Sequence, residues 1–224
     1  MATRRSSGLI VGFKGKIGPV VLTEWKGQEV IKTLPDCSKR AKMVITDELH
    51  QSQELFRIVT KFLSRVGREI FDLGYQVKKR DPYTSTNLAC NYHIKHAVVG
   101  KYPDCKIDFS RLKFSKPKKE IEGGWNARFG SASERMLQVT WDRNDFPEKT
   151  TRLDDKPVII FHSIMRDGFI THIGSGYQRS SLNVFYEWPK DYVGDEIHCW
   201  MFFVSADKKH VSETEYLGMV IVQE

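Results

Sequence analysis

Ile197-His-Cys-Trp-Met-Phe-Phe-Val204 is the most apolar run in this chain of 224 residues, and Pro157-Val-Ile-Ile-Phe-His162 is its nearest counterpart. Both are strand-length, rich in β-branched and aromatic residues, and bounded by turn formers, which marks sheet core rather than helix. Similar segments flank them at short intervals: alternating Leu137, Val139 and Trp141, then Phe169–Ile173, Leu182–Tyr186 and Tyr216–Val222. Turns are expected at Arg166-Asp-Gly168 and at Ala206-Asp-Lys-Lys209. Six or seven strands so spaced predict an antiparallel β-sandwich that starts near residue 125. Just upstream, Ile107-Asp-Phe109 and Leu112-Lys-Phe114 read as strand with a slip between them, as at a bulge. Lys116 to Gly124 reads as a linker or long turn.

The periodicity before residue 107 is different. Val20–Trp25 and Glu29–Leu34 read as a β-hairpin around Lys26-Gly27. Gly12, Gly15 and Gly18 precede it, with Lys14 and Lys16 between. Two interpretations stay open: a phosphate-binding loop, or turns and bulges of a small sheet. Neither G-x4-G-K-[ST] nor G-x-G-x-x-G spacing is present. Thr46 then caps an expected helix whose apolar stripe runs Leu49, Phe56, Val59, Leu63, Val66, Ile70, Leu73 and Val77, ending near Gly74. A second helix fits Ser85–Val99, capped by Ser85 or Thr86 and closed by Gly100. The expected class is therefore α+β. A β-hairpin and a two-helix hairpin form a basic domain over residues 1–120, and a fibronectin-III/Ig-like sandwich fills 121–224.

Charge separates the same two stretches. Residues 1–120 carry 24 Lys and Arg against 12 Asp and Glu, a balance of +12, whereas 121–224 carry 11 against 16, a balance of −5. The basic half can meet nucleic-acid phosphates, meet the acidic half of another copy, or simply keep a helical surface solvated. With 40% hydrophobic and 28% charged residues the chain is expected to fold as an ordinary globular protein. The apolar stretch Gly8–Phe13 is too short for a secretory h-region, and no run of about 18 apolar residues occurs, so a cytoplasmic address and no membrane span are expected. Cys37, Cys90, Cys105 and Cys199 lack paired spacing and read as free thiols. Cys90, His93, His96 and Cys105 can approach one another around the second helix, but match no zinc-finger spacing; no metal or cofactor is expected.

The wording Gly12-Phe-Lys-Gly-Lys-Ile-Gly18, Trp25-Lys-Gly27 and Leu34-Pro35 resembles the opening of an uncharacterised bacterial family met chiefly in Bacteroidetes. Tyr102-Pro103, Ile107-Asp-Phe-Ser110, Phe203-Val-Ser-Ala-Asp207 and Tyr216-Leu-Gly218 are similar to later phrases of that family, in the same order. The resemblance implies one stable unit and a domain of unknown function, without assigned catalytic residues. The chain departs from it at Lys208-Lys209, where the family tends to a glycine-containing turn. Trp188-Pro189, Tyr192 and Gly194 ahead of the Ile197 run resemble the corner before strand F of fibronectin-III sandwiches.

No catalytic frame such as G-x-S-x-G or H-E-x-x-H occurs. His162 and His172 stand in strand patterns, and Asp154-Asp155 falls in a turn where solvated carboxylates are expected. The sequence thus points to a non-catalytic structural or protein-interaction module, able to self-assemble. The alternative is nucleic-acid binding through Arg4, Arg5, Lys14, Lys16, Lys39, Arg40, Lys42, Lys78, Lys79 and Arg80, with Trp25 or Tyr83 to stack.

Overall fold

The structure, a computed structural model, describes residues 2–3, 14–25, 27–35, 46–78, 81–100, 102–118, 120–174 and 176–223. The chain forms two compact units, Met1–His50 with Lys78–Pro82 and Gln51–Val77 with Tyr83–Glu224. This differs from the division expected at residue 120, because most of the helical sequence shares a core with the downstream sheets.

The first unit contains the expected hairpin, β3 (Val20–Trp25) and β4 (Gln28–Thr33), paired from Val20↔Thr33 to Trp25↔Gln28. Gly27, at φ 70°, supplies the left-handed residue its tight turn needs. Short strands β1 (Ala2–Thr3) and β2 (Gly15–Ile17) extend it to a four-stranded antiparallel sheet in the order β1-β4-β3-β2. The turn from β2 into β3 is Gly18-Pro19, with Gly18 at φ 57°.

The second unit is governed by which faces of its central strands are buried. Its larger sheet has the order β10-β9-β12-β13, from β9 (Lys156–Ser163), β10 (Gly168–Ile173), β12 (Glu196–Val204) and β13 (Glu215–Ile221). The smaller is β11-β8-β7, from β7 (Trp125–Ser133), β8 (Met136–Asp142) and β11 (Asn183–Glu187). Every pairing in both sheets is antiparallel. Successive side chains on β12 enter different cores. Ile197, Cys199, Met201 and Phe203 join Leu137, Val139, Trp141 and Val184 of the smaller sheet in one buried cluster. Trp200, Phe202 and Val204 point the other way and join Val59, Leu63, Ile70, Phe71 and Phe114 in a second. A strand buried on both faces reads as a continuous apolar run instead of an alternating one.

Helices cover that second face. α1 (Asp47–Leu63) begins where expected, Thr46 Oγ1 accepting the Leu49 N–H at 3.3 Å. The single helix expected to reach Gly74 is instead interrupted: residues 64–67 turn, Gly67 takes φ 94°, and α2 (Arg68–Gly74) resumes. The apolar spacing survives the break, because Val59, Leu63, Val66 and Ile70 still enter one core. Phe56, expected within that stripe, is exposed. α3 (Ser85–His96) packs against α2 and is capped one residue earlier than expected, by Thr84, whose hydroxyl accepts the Asn87 N–H. Gly74 is required by close approach: a Cβ there would lie 2.0 Å from the Phe114 carbonyl oxygen.

Between helices and sheets the strand pattern expected at 107–114 is largely replaced. Val98–Val99 (β5) and Lys106–Ile107 (β6) form a two-residue ladder. The chain then turns through a 3₁₀ segment at Phe109–Arg111 because the Asp108 carboxylate captures the Ser110 N–H at 3.0 Å. The expected linker at 116–124 is a fixed strap. Lys116 N–H donates to Gly74 O, Ile121 N–H donates to Val211 O, and the Ile121 side chain is fully buried. β7 lies outside the strands expected above; it is rich in Gly, Ser and Ala, with Trp125 and Phe129 its large side chains, and it forms one edge of the smaller sheet. No described helix is long and apolar enough to cross a membrane.

The β12–β13 connection tests the departure at Lys208-Lys209. Lys208 takes φ 58°, a left-handed conformation that favours glycine. The turn tolerates lysine because Ser205 Oγ accepts the N–H groups of Lys209 and His210, and the Gln76 side chain clamps the Lys208 carbonyl at 3.0 Å. Lys208→Gly relieves that conformation. It is expected to stabilise the protein by about 1 kcal/mol, which raises the thermal midpoint by about 2–4 °C in a calorimetric scan; an unchanged or lower midpoint contradicts this.

Candidate functional site

Of the ten basic residues proposed to contact nucleic acid, Arg4, Arg5, Lys39, Arg40, Lys42, Lys79 and Arg80 lie outside the described residues. Lys14 is engaged by Glu24 at 2.7 Å, and that hydrogen bond raises the pKa of its ammonium. Lys16 and Lys78 are exposed. Gly15 and Gly18 serve the β2–β3 hairpin, which is the turn interpretation of the glycine-rich segment. Gly12 and Cys37 lie outside the described residues.

On the second helix, His93 is taken up by the backbone. Its ring is buried, Nδ1 donates to the Ala89 carbonyl at 2.7 Å, and Nε2 accepts the Lys113 N–H at 3.2 Å. Both nitrogens are occupied by backbone, and burial lowers the pKa to about 4. Among the described residues no His, Cys, Asp and Glu side chains gather in a group able to hold a metal ion.

A densely connected polar group in the second unit is Arg179, in the 3₁₀ turn ahead of β11. Its Nε donates to Asp155 Oδ2 at 3.2 Å, Nη1 to the Gly123 carbonyl at 2.7 Å, and Nη2 to the Glu122 carbonyl at 2.6 Å. The guanidinium lies over the Phe203 ring, 3.9 Å from its centroid. The Arg179 carbonyl accepts the Trp141 indole N–H at 2.8 Å. One residue therefore joins the strap, β8, the turn ahead of β9 and β12. Asp155, expected to be a solvated turn carboxylate, is instead fully buried beside it. Burial raises the Asp155 pKa, while the Arg152 N–H and Arg179 pull it down. Asp155 Oδ1 has no hydrogen-bond partner.

Above this buried pair opens a pocket of about 130 Å³, lined by Glu122, Trp125, Pro147, Leu153, Arg179 and Leu182. Part of its lining is apolar and exposed: Trp125 is 50% exposed and Leu153 55%, and Phe146 in the adjoining loop is 92% exposed. The volume suits one inserted side chain rather than a substrate-sized molecule.

The model for a family of unknown function, DUF6266, matches residues 12–218. The chain belongs to this family. No curated protein matches it. Among solved structures it is similar to the fn3 domain of the human collagen alpha-1(XX) chain, at 12% identity and a TM-score of 0.36, over 49% of this chain and 91% of that one. It is also similar to the twitchin kinase region from C. elegans, at 10% identity and a TM-score of 0.35, over 46% of this chain and 17% of that one.

Arg179 and the Trp125 rim were not singled out from the sequence of this DUF6266 member, and Asp155 was expected only as a solvated turn carboxylate. Asp155 and Arg179 are 24 residues apart on non-adjacent turns, and no periodicity connects them. His162, expected as an ordinary strand histidine, is buried against the rings of Phe62, Phe109 and Phe169 with both nitrogens unpartnered by hydrogen bonds. Asp167 stands 3.7 Å from its Nε2 and pairs with Arg65 from beyond the end of α1.

Two outcomes follow from this geometry. Arg179→Met strands the buried Asp155 carboxylate and is expected to cost about 3–5 kcal/mol. Arg179→Lys should not rescue it, since one ammonium cannot reproduce the planar fork; urea unfolding midpoints measure both. For His162, burial lowers the folded pKa below 6.5. The unfolded chain then binds the proton more readily, so the His162 contribution is complete above pH about 6.5 and is lost on acidification. His162→Phe should flatten the fall in stability between pH about 7.5 and 5. An unaltered slope would show that the ring is not held neutral.

Proposed function

We propose that this chain is a non-catalytic structural and protein-interaction module, that its two-sheet portion is a fibronectin-III/Ig-like sandwich, and that it associates with further copies of itself. The observation that carries this is where the polar and apolar groups have gone. Several buried ionisable groups are engaged by the fold, His93 by two backbone groups, Arg179 by Asp155, and Asp195 by Ser163 and Arg166, while His162 is enclosed by aromatic rings. Three of the exposed large apolar groups, Trp125, Leu153 and Leu182, line the Trp125 pocket, and Phe146 stands in the adjoining loop. The strand order β11-β8-β7 over β10-β9-β12-β13 supports the sandwich assignment, matching the ABE and C′CFG sheets of such domains.

A second copy is the preferred occupant because the chain carries its own charge complement, +12 over residues 1–120 and −5 over 121–224. Opposed potentials steer encounter, and an aromatic anchor in a side-chain-sized pocket supplies the contact energy. Light scattering on the full chain is expected to show mass rising with concentration, and rising less at ~0.5 M salt than at ~0.05 M, where screening is weak. Trp125→Ala should weaken association about tenfold without changing the circular dichroism spectrum. A strict monomer at high concentration and low salt overturns the proposal.

A further inference from the structure

A second cavity, of about 330 Å³, lies where α3, the residues after α2 and the start of the strap meet. It is more than twice the volume of the Trp125 pocket and reaches the range of small-ligand sites. Its floor is apolar, from Tyr75, Leu88 and Pro117. One wall is aromatic: the Tyr92 and His96 rings sit 4.7 Å apart, and the Lys116 ammonium lies 5.1 Å from the Tyr92 centroid. Lys95, Lys116 and Lys118 supply cations, and none of the lining residues is acidic.

The company Lys95 and Lys116 keep sets them apart from neighbouring cations. Arg65 is paired with Asp167, Lys113 with Glu213, Lys209 with Asp207 and Arg111 with Asp108. Lys95 and Lys116 have no carboxylate partner among the described residues, although several lysines converge on one concavity there. Like charges held together around an apolar, aromatic-walled hollow raise the local potential. An anion that also carries a flat ring answers both halves of the surface: phosphate for the ammoniums, ring for Tyr92 and the apolar floor.

We propose that this groove binds the nucleotide unit, a phosphate joined to a planar base, either free or as part of a single strand. It is a different surface from the basic residues at 4–42 and 78–80, and it stands independently of self-association through Trp125. Lys116 moves from the Tyr92 face to the phosphate when the base takes its place. The oxygen-rich anion replaces solvent around the Lys95 and Lys116 ammoniums, so binding weakens with added salt.

Isothermal calorimetry on the full chain at about 0.05 M salt tests this with four probes: adenosine monophosphate, adenosine, inorganic phosphate and a short single-stranded oligonucleotide. The mononucleotide is expected to bind at least about tenfold tighter than adenosine or phosphate alone. The Lys95→Glu, Lys116→Glu double variant should lose about tenfold or more, whereas Lys190→Glu, outside the groove, should bind as the parent does. Oligonucleotide binding that exceeds the mononucleotide and falls in the same double variant identifies a strand as the source; mononucleotide binding alone identifies the free compound. Absence of binding by both, phosphate binding as tightly as the mononucleotide, or affinity unchanged in the double variant overturns the proposal.

Discussion

The burial of β12 on both faces is the constraint on which the second unit rests. A strand enclosed by one sheet face alone needs a single partner layer. This one alternates Cys199, Met201 and Phe203 into one core with Trp200, Phe202 and Val204 into another, so it demands a layer on each side. The smaller sheet supplies one cover, and α1, α2 and the 109–114 segment supply the other. Trp200 ties the second cover down through a hydrogen bond as well as through packing, its indole N–H donating to the Phe109 carbonyl at 3.0 Å. Fully burying one such side chain is worth about 1.5–3 kcal/mol, and several do so here.

That constraint also explains what the sequence revealed. The apolar runs at 157–162 and 197–204, the alternation of Leu137, Val139 and Trp141, and the stripe from Val59 to Ile70 were legible because burial imposes a period on side chains. What burial does not impose was lost. The break at Gly67 is a backbone event, and β7 is an exposed edge whose Gly, Ser and Ala carry no pattern. The helix-covered face of the larger sheet misled the division at residue 120: composition changes there, but packing does not. Lysine at 208 shows the converse, since a left-handed residue gave no glycine to announce it.

Polar burial was least legible of all. Asp155 and Arg179 look like ordinary turn residues, because solvation or burial of a charge depends on a partner brought close only by the completed fold. A buried pair of this kind is weak evidence for stability, since desolvation offsets attraction. Its geometry makes more sense as an organiser: the guanidinium satisfies two strap carbonyls that would otherwise be buried without donors, and it does so while seated on Phe203. Such a fork fixes the strap, and with it the floor of the Trp125 pocket.

The strap links both proposed surfaces. Its first residues, Lys116 to Lys118, border the groove against α3, and Glu122 near its other end lines the pocket beside Trp125. Lys116 N–H is fastened to Gly74, Ile121 is buried, and Gly123 and Gly124 sit under Glu215, whose carboxylate accepts the Gly124 N–H at 3.0 Å. A Cβ at Gly123 would fall 1.7 Å from that carboxylate and would have to displace it. A segment held at both ends and in the middle does not act as a free linker. Both surfaces are therefore shaped by one backbone segment, whose course is set by its bonds to Gly74, Val211 and Glu215 and by the burial of Ile121 between them.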